Sequence, residues 1–145
     1  METNEQNNKE ELKEEKIVAD EALERVALSA VADKKIAHFS GGMKRRINLV
    51  AGILHTPEVL FLDEPTVGVD VQSKNIIIDY LKELNARGMS VLYTSHHLQE
   101  AQDFCDRIGI LSEGQLIKED TPERLIKEAE VYNLEEAFIQ VTNNK

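Results

Sequence analysis

The order of elements along the 145 residues predicts an α/β fold in which a parallel sheet carries helices on its faces. Three observations predict it. The apolar run Val59-Leu60-Phe61-Leu62 reads as a short strand buried on both faces. A helical pattern follows from Val71 to Arg87, with Ile77, Ile78, Leu81 and Leu84 toward a core and Gly88 as its stop. Ser90-Val91-Leu92-Tyr93-Thr94 then reads as a second strand beside the first. Strand–helix–strand order pairs the two strands in parallel, because the helix returns the chain to the end of the sheet from which it started.

The remaining elements follow in order. Residues 1–20 form an acidic segment, partly helical. Its first eight residues read as frayed, and Leu12, Ile17, Ala19, Leu23, Val26 and Ala27 make an irregular stripe. That stripe reads as a solvated surface helix, and without a sustained heptad it is not a coiled coil. Ala30 to Phe39 is expected to be a loop. Ser40 is a good N-cap for a helix to about His55, with Met43, Ile47, Val50, Ala51 and Leu54 on one face, and Pro57 blocks its continuation. Pro65 and Gly68 mark a turn, and His97 to Cys105 a short helix. Arg107–Leu111 and Gln115–Lys118 form a hairpin turning at Glu113-Gly114, and Thr121-Pro122 opens a further helix.

Composition narrows the function classes. The chain holds 27 acidic and 17 basic residues, a net charge of −10, which argues against nucleic acid as a partner. Its length suits one domain, and its apolar content of 41% suffices for a core. Cys105 is the single cysteine, so no internal disulfide forms, and it reads as a buried helix-end residue. No apolar run approaches the roughly 20 residues of a membrane helix. The first residues have no basic, apolar or cleavage pattern, so no secretion signal is expected.

Chemistry concentrates in three places. Val59 to Leu62 ends in Asp63-Glu64-Pro65, which puts two carboxylates at the C-terminal edge of a parallel sheet, where such folds bind ligands. One carboxylate can hold Mg²⁺, directly or through water, and the other can orient or deprotonate a water. A strand merely meeting a polar turn would look the same. Ser40-Gly41-Gly42 opens a helix whose free N–H groups and dipole suit an anion, although an ordinary serine cap is the plainer alternative. Thr94-Ser95-His96-His97 places a histidine just past the second strand, where it could contact a phosphate. A structural histidine, or a metal site of His96, His97 and Glu100, would compete with that reading.

Taken in order, these stretches resemble the ABC transporter ATPase family. Phe39-Ser40-Gly41-Gly42-Met43 is similar to its signature motif, and Val59 to Glu64 to its Walker B strand. Gly68-Val69-Asp70 is similar to its D-loop, and His96 to its switch histidine. The resemblance runs from about Glu21 to about Val141 and is strongest to drug, antibiotic or sodium exporters. It implies a partial P-loop NTPase (RecA-like) sheet with flanking helices, plus the signature-bearing remainder of the helical subdomain. Residues 21–145 would be the rear half of the ATPase domain. Asn133 to Phe138 is similar to the segment that ends such ATPases, so that end is expected to be complete.

The resemblance also implies roles. Two ATPase domains meet head to tail, and Ser40, Gly41 and Gly42 would grip the γ-phosphate of an ATP held by the other domain. Asp63 would hold Mg²⁺, Glu64 would be the general base, His96 would stabilise the γ-phosphate and Asp70 would organise the dimer contact. The implied partners are a membrane permease and a second ATPase subunit or a front-half polypeptide, on the cytoplasmic face of the cell membrane.

The sequence departs from the family in one respect. Gly-x-x-x-x-Gly-Lys-Ser/Thr is absent. The nearest match, Gly109 to Gly114, runs into Gln115-Leu116 and lies in a hairpin. The chain is therefore expected to be a truncated or split exporter ATPase subunit that hydrolyses ATP negligibly alone. With the strand before that loop also absent, an unpaired sheet edge and self-association are expected. The alternatives are a non-catalytic module that pairs with a complete ABC ATPase, or the rear lobe of a chromosome-maintenance or repair ATPase. The latter's coiled coil and basic charge are not seen here. Lys44-Arg45-Arg46 could salt-bridge or meet phosphates, with at least two of them expected to be solvated surface residues, and Gly52 is expected to allow close packing.

Overall fold

A computed structural model describes Lys13 and residues 16–143, so the segment read as frayed, and Leu12 of the stripe, lie outside the described residues. The chain divides into two compact units, Met1–Thr94 and Ser95–Lys145.

The first unit opens with helix α1 (residues 16–25). Ala27, at positive φ, follows it, and the Leu28 amide donates back to Leu23 O at 2.8 Å. Only the outer side of α1 matches the solvated reading. Ala22, Val26 and Leu28 are buried, and Arg25 pairs with Glu83 at 3.2 Å. The expected loop contains two short 3₁₀ turns, Ser29–Val31 and Ile36–His38.

Helix α2, Gly41–Ile53, begins where Ser40 predicts. Its buried stripe is Gly42, Leu49, Val50 and Ile53, whereas Ala51 and Leu54 of the predicted face are exposed. The stripe is rotated because Gly42 has no side chain, so the first turn of α2 packs directly on another helix.

Strand β1 (Val59–Asp63), helix α3 (Val71–Ala86) and strand β2 (Ser90–Thr94) form the predicted crossover. The strands pair in parallel, from Val59 opposite Ser90 to Asp63 opposite Thr94. Asp70 caps α3, and Gly88, at φ 103°, closes it. Burial of β1 on both faces is not what the structure shows. Leu60 is 7% exposed and lies 3.6 Å from where a Cβ on Gly52 would sit, an ordinary contact that does not itself require glycine there. Phe61 and Leu92, register partners on the opposite face, are 72% and 55% exposed, and Val59 is 48% exposed. Successive strand residues point to opposite faces, and packing of the described residues covers one face only. Among the described residues each strand of this pair also has one edge without a neighbour.

The second unit holds α4 (Leu98–Phe104), the antiparallel hairpin β3 (Ile108–Ser112) and β4 (Gln115–Asp120), α5 (Pro122–Glu128) and α6 (Leu134–Asn143). Glu113 and Gly114 both have positive φ, the backbone of a tight hairpin turn. Thr121 Oγ1 accepts from the Arg124 amide at 3.3 Å, capping α5 as expected. Ala101, Ile110, Leu125 and Leu134 form the core of this unit.

Candidate functional site

The acidic end of β1 is organised by the residue that ends β2. Asp63 and Thr94 are register partners, and Thr94 Oγ1 donates to Asp63 Oδ1 at 2.5 Å. The same hydroxyl accepts from the Glu64 amide at 3.2 Å, which also donates to Thr94 O at 3.1 Å. Glu64 sits at φ 45°, in the left-handed region that costs a side-chain-bearing residue on the order of 1 kcal/mol or more. The chain therefore leaves the strand abruptly at Glu64. The turn beyond is anchored by buried Pro65 and Thr66, with Thr66 Oγ1 3.1 Å from Tyr93 OH. Asp63 is exposed and Glu64 half-buried, side by side at the C-terminal end of a parallel pair.

The second element is the start of α2. Ser40 has extended backbone, and its Oγ accepts from the Met43 amide at 3.2 Å, an N-cap. The two glycines after it do different work. A Cβ on Gly41 would meet nothing within 4 Å, so this position lies open to an approaching group. A Cβ on Gly42 would sit 2.4 Å from Ser73 Oγ and 2.9 Å from Asp70 Oδ2. Gly42 is therefore a packing glycine.

Asp70 lies across that contact. Its Oδ1 accepts from the Ser73 amide and its Oδ2 from the Ser73 hydroxyl, both at 2.8 Å. Those two bonds, the amide first, hold the Asp70 carboxyl below its usual range, and the Arg46 guanidinium adds to the effect. The structure thus places both oxygens of the predicted dimer-contact residue on its own helix. Arg46 also binds backbone carbonyls, with Nη1 donating to Val26 O at 2.7 Å and Nε to Gly42 O at 3.4 Å. It joins the end of α1 to the first turn of α2.

His96 belongs to the second unit, where its ring lies 4.3 Å from that of His97, tilted by 38°. Ser95 Oγ accepts from the His97 amide at 2.9 Å. Among the described residues no three His, Cys, Asp or Glu side chains gather as a metal site. Asp63 and Glu64 are adjacent hard oxygen donors, and Mg²⁺ is commonly held by one or two carboxylates together with substrate phosphates, so this donor set fits that ion. Cys105 packs against the second core, and burial pushes its thiol up to about 11, which keeps it protonated.

Thr94 and Arg46 stand within stretches that the sequence marks and Ser73 does not, and none of the three is marked for the bonds it makes here. Thr94 was findable, since two five-residue strands in parallel place their last residues opposite each other. Ser73 follows Asp70 by three positions, the spacing of a cap and its donor. No local signal marks the bonds of Arg46, whose acceptors lie up to 20 residues away.

Comparison with known proteins agrees with this architecture. The ABC transporter family profile matches residues 1–67. The linearmycin resistance ATP-binding protein LnrL of Bacillus subtilis is 49% identical over 129 residues, covering 83% of this chain and 42% of that protein. The Nod factor export ATP-binding protein I of Burkholderia orbicola is 43% identical over 105 residues, covering 72% of this chain and 34% of that protein. The chain thus spans less than half the length of these relatives. Among solved structures, an ATP-binding subunit of an ABC transporter superposes with a TM-score of 0.79 at 25% identity, over 89% of this chain and 55% of that one. An ATP-binding cassette in its ADP conformation gives 0.72 at 28% identity, over 87% and 50%. With relatives 49% and 43% identical over most of its length and solved cassettes that share its fold, the chain belongs to the ABC transporter ATP-binding family.

Proposed function

We propose that this chain supplies part of the ATP site of an exporter-type ABC transporter. The observation that carries the reading is the edge of the parallel pair, where Thr94 fixes Asp63 and holds Glu64 in a strained backbone at the ligand-binding end of the sheet. In this reading Asp63 holds magnesium, directly or through water, and Glu64 orients and deprotonates the attacking water. The metal, when bound, neutralises charge on the β- and γ-phosphates. Ser40 and the open amide end at Gly41 grip the γ-phosphate of a nucleotide held by another domain. His96 stabilises a γ-phosphate, and the Asp70 loop meets the partner domain.

No Gly-x-x-x-x-Gly-Lys-Ser/Thr occurs in the 145 residues. We therefore assign the phosphate-binding loop to residues outside them, on the same or another polypeptide, and these residues alone bind and hydrolyse ATP poorly. The exporter assignment rests on the relatives named for linearmycin resistance and Nod factor export. It brings with it a membrane permease and a place on the cytoplasmic face of the membrane. Among the described residues no helix is long and apolar enough to cross a membrane. The missing loop motif also supports a second reading, a non-catalytic module that pairs with a complete ABC ATPase.

The test mixes this chain with the Bacillus subtilis relative in the presence of magnesium and a non-hydrolysable ATP analogue. Association by size exclusion is expected only with nucleotide, and Gly41→Asp is expected to abolish it. A folded chain that associates equally with and without nucleotide, or in neither case, overturns the proposal. With ATP instead of the analogue, and a front-half polypeptide carrying Gly-x-x-x-x-Gly-Lys-Ser/Thr added, turnover above that of the relative alone that is lost in Glu64→Gln favours the catalytic reading, and no added turnover favours the module.

A further inference from the structure

The Ser40-Gly41-Gly42 segment and the Asp70 loop are separated by about thirty residues of sequence, yet they share one contact. Ser73 is 3% exposed and belongs to the first turn of α3. Its amide and hydroxyl are both taken by Asp70, which aims Ser73 Oγ at the backbone of Gly42. From the other direction Arg46 Nε binds Gly42 O, while its Nη1 holds Val26 O. The second residue of α2 is thus seated between two polar groups that are themselves fixed. The backbone amides of Ser40 and Gly41 lie immediately before it.

We propose that Ser73 is a positioning residue: by bearing on Gly42 it sets where the open amide end at Ser40 and Gly41 points, and it makes that end and the Asp70 loop one rigid piece. This rests on the reading of Ser40 and Gly41 as a phosphate grip. It adds a consequence, that a phosphate bound at Gly41 and a partner surface meeting the Asp70 loop act on the same body. Asp70 serves both through Ser73, with its own carboxylate oxygens engaged within the chain.

Hydrogen exchange of the Met43 amide, the donor to Ser40 Oγ, reads the seat in the chain alone. Helix propensity favours alanine over glycine and by itself predicts slower exchange in Gly42→Ala. The proposal predicts the opposite, exchange about tenfold faster or more, because the methyl displaces the first turn. Adding Ser73→Gly, which removes the nearest atoms in its way and releases Asp70 Oδ2 to move aside, is expected to return exchange to within about threefold of wild type. Unchanged or slower exchange in Gly42→Ala, or a double variant no slower than the single, overturns the proposal. If Gly42→Ala does not fold, a folded double variant supports it and an unfolded one overturns it.

The nucleotide-dependent association described above separates this proposal from the reading on which it rests. No association of wild type sinks the phosphate grip and leaves the exchange result to decide the seat. Association that survives Gly42→Ala while Met43 exchange rises overturns the positioning role. Association lost in Gly42→Ala and restored in the double variant supports both.

Discussion

Thr94 Oγ1 donates to Asp63 Oδ1 across 2.5 Å while accepting from the Glu64 amide at 3.2 Å. One hydroxyl therefore ties the last residues of both parallel strands and the first residue beyond β1. A hydroxyl-to-carboxylate bond is worth on the order of 1–2 kcal/mol, and the exposure of both residues favours the low end. Thr94→Val is expected to lower the unfolding free energy by about 1 kcal/mol in urea denaturation, and Thr94→Ser to keep it. A valine variant as stable as wild type would show that strand pairing alone fixes Asp63.

Glu64 occupies a left-handed backbone, at φ 45°, that glycine adopts without cost. Glu64→Gly is therefore expected to raise stability by about 0.5–1 kcal/mol in thermal or urea unfolding, while Glu64→Gln leaves it unchanged. Stability gained by removing a side chain from the proposed catalytic position would mark strain retained for function. Destabilisation by glycine would show that the Glu64 side chain contributes more to folding than its backbone costs.

Much of the local architecture was legible because its signals are local. Ser40, Asp63, Gly88, the turn at Glu113-Gly114 and Thr121-Pro122 each act through neighbours within four residues or through strand pattern. The rotated face of α2 was not legible, because it depends on Gly42 meeting Ser73 from another helix. The exposure of one face of β1 is hidden from the sequence for a similar reason. An apolar run states that a strand suits cover on both faces, but not whether the same chain provides it. For the site, the residue types at the strand edge and helix start were visible in the sequence. The groups that fix them, Thr94, Ser73 and Arg46, are tertiary partners.

Gly41 and Gly42 give opposite expectations. A Cβ at Gly41 meets nothing within 4 Å, so Gly41→Ala is expected to keep or raise thermal stability, by up to about 1 kcal/mol on helix propensity. The same methyl stands where the proposed phosphate approaches, and nucleotide-dependent association is expected to fall at least tenfold. A variant that is both stable and fully competent in association would place the phosphate elsewhere.

Phe61 and Leu92 leave an apolar face on a parallel pair, an arrangement that stable α/β sheets cover. The isolated chain is expected to self-associate, with light scattering that rises with concentration. Phe61→Thr with Leu92→Thr places β-branched residues in both strands and is expected to reduce that scattering without lowering the melting temperature. Scattering unchanged by the pair would assign the association to another surface.

Asp70 makes acid sensitivity a test of the cap on α3. Its carboxyl is held below the usual 3.8, chiefly by the Ser73 amide and then by the Ser73 hydroxyl. The depressed value means that the charged form is favoured by folding. Its contribution is present above the unfolded value and is lost as pH falls through the lower folded one. An asparagine at this position would still cap the helix but without charge, so Asp70→Asn isolates the charged part. The stability gap between wild type and Asp70→Asn is expected to be constant from neutral pH to about 5 and to close below 3.8. Urea denaturation of both proteins at several pH values measures it. A gap that persists unchanged at the lowest pH would mean that the carboxylate's charge does not hold this helix start, and that the seat under Gly42 relies on the Ser73 side chain alone.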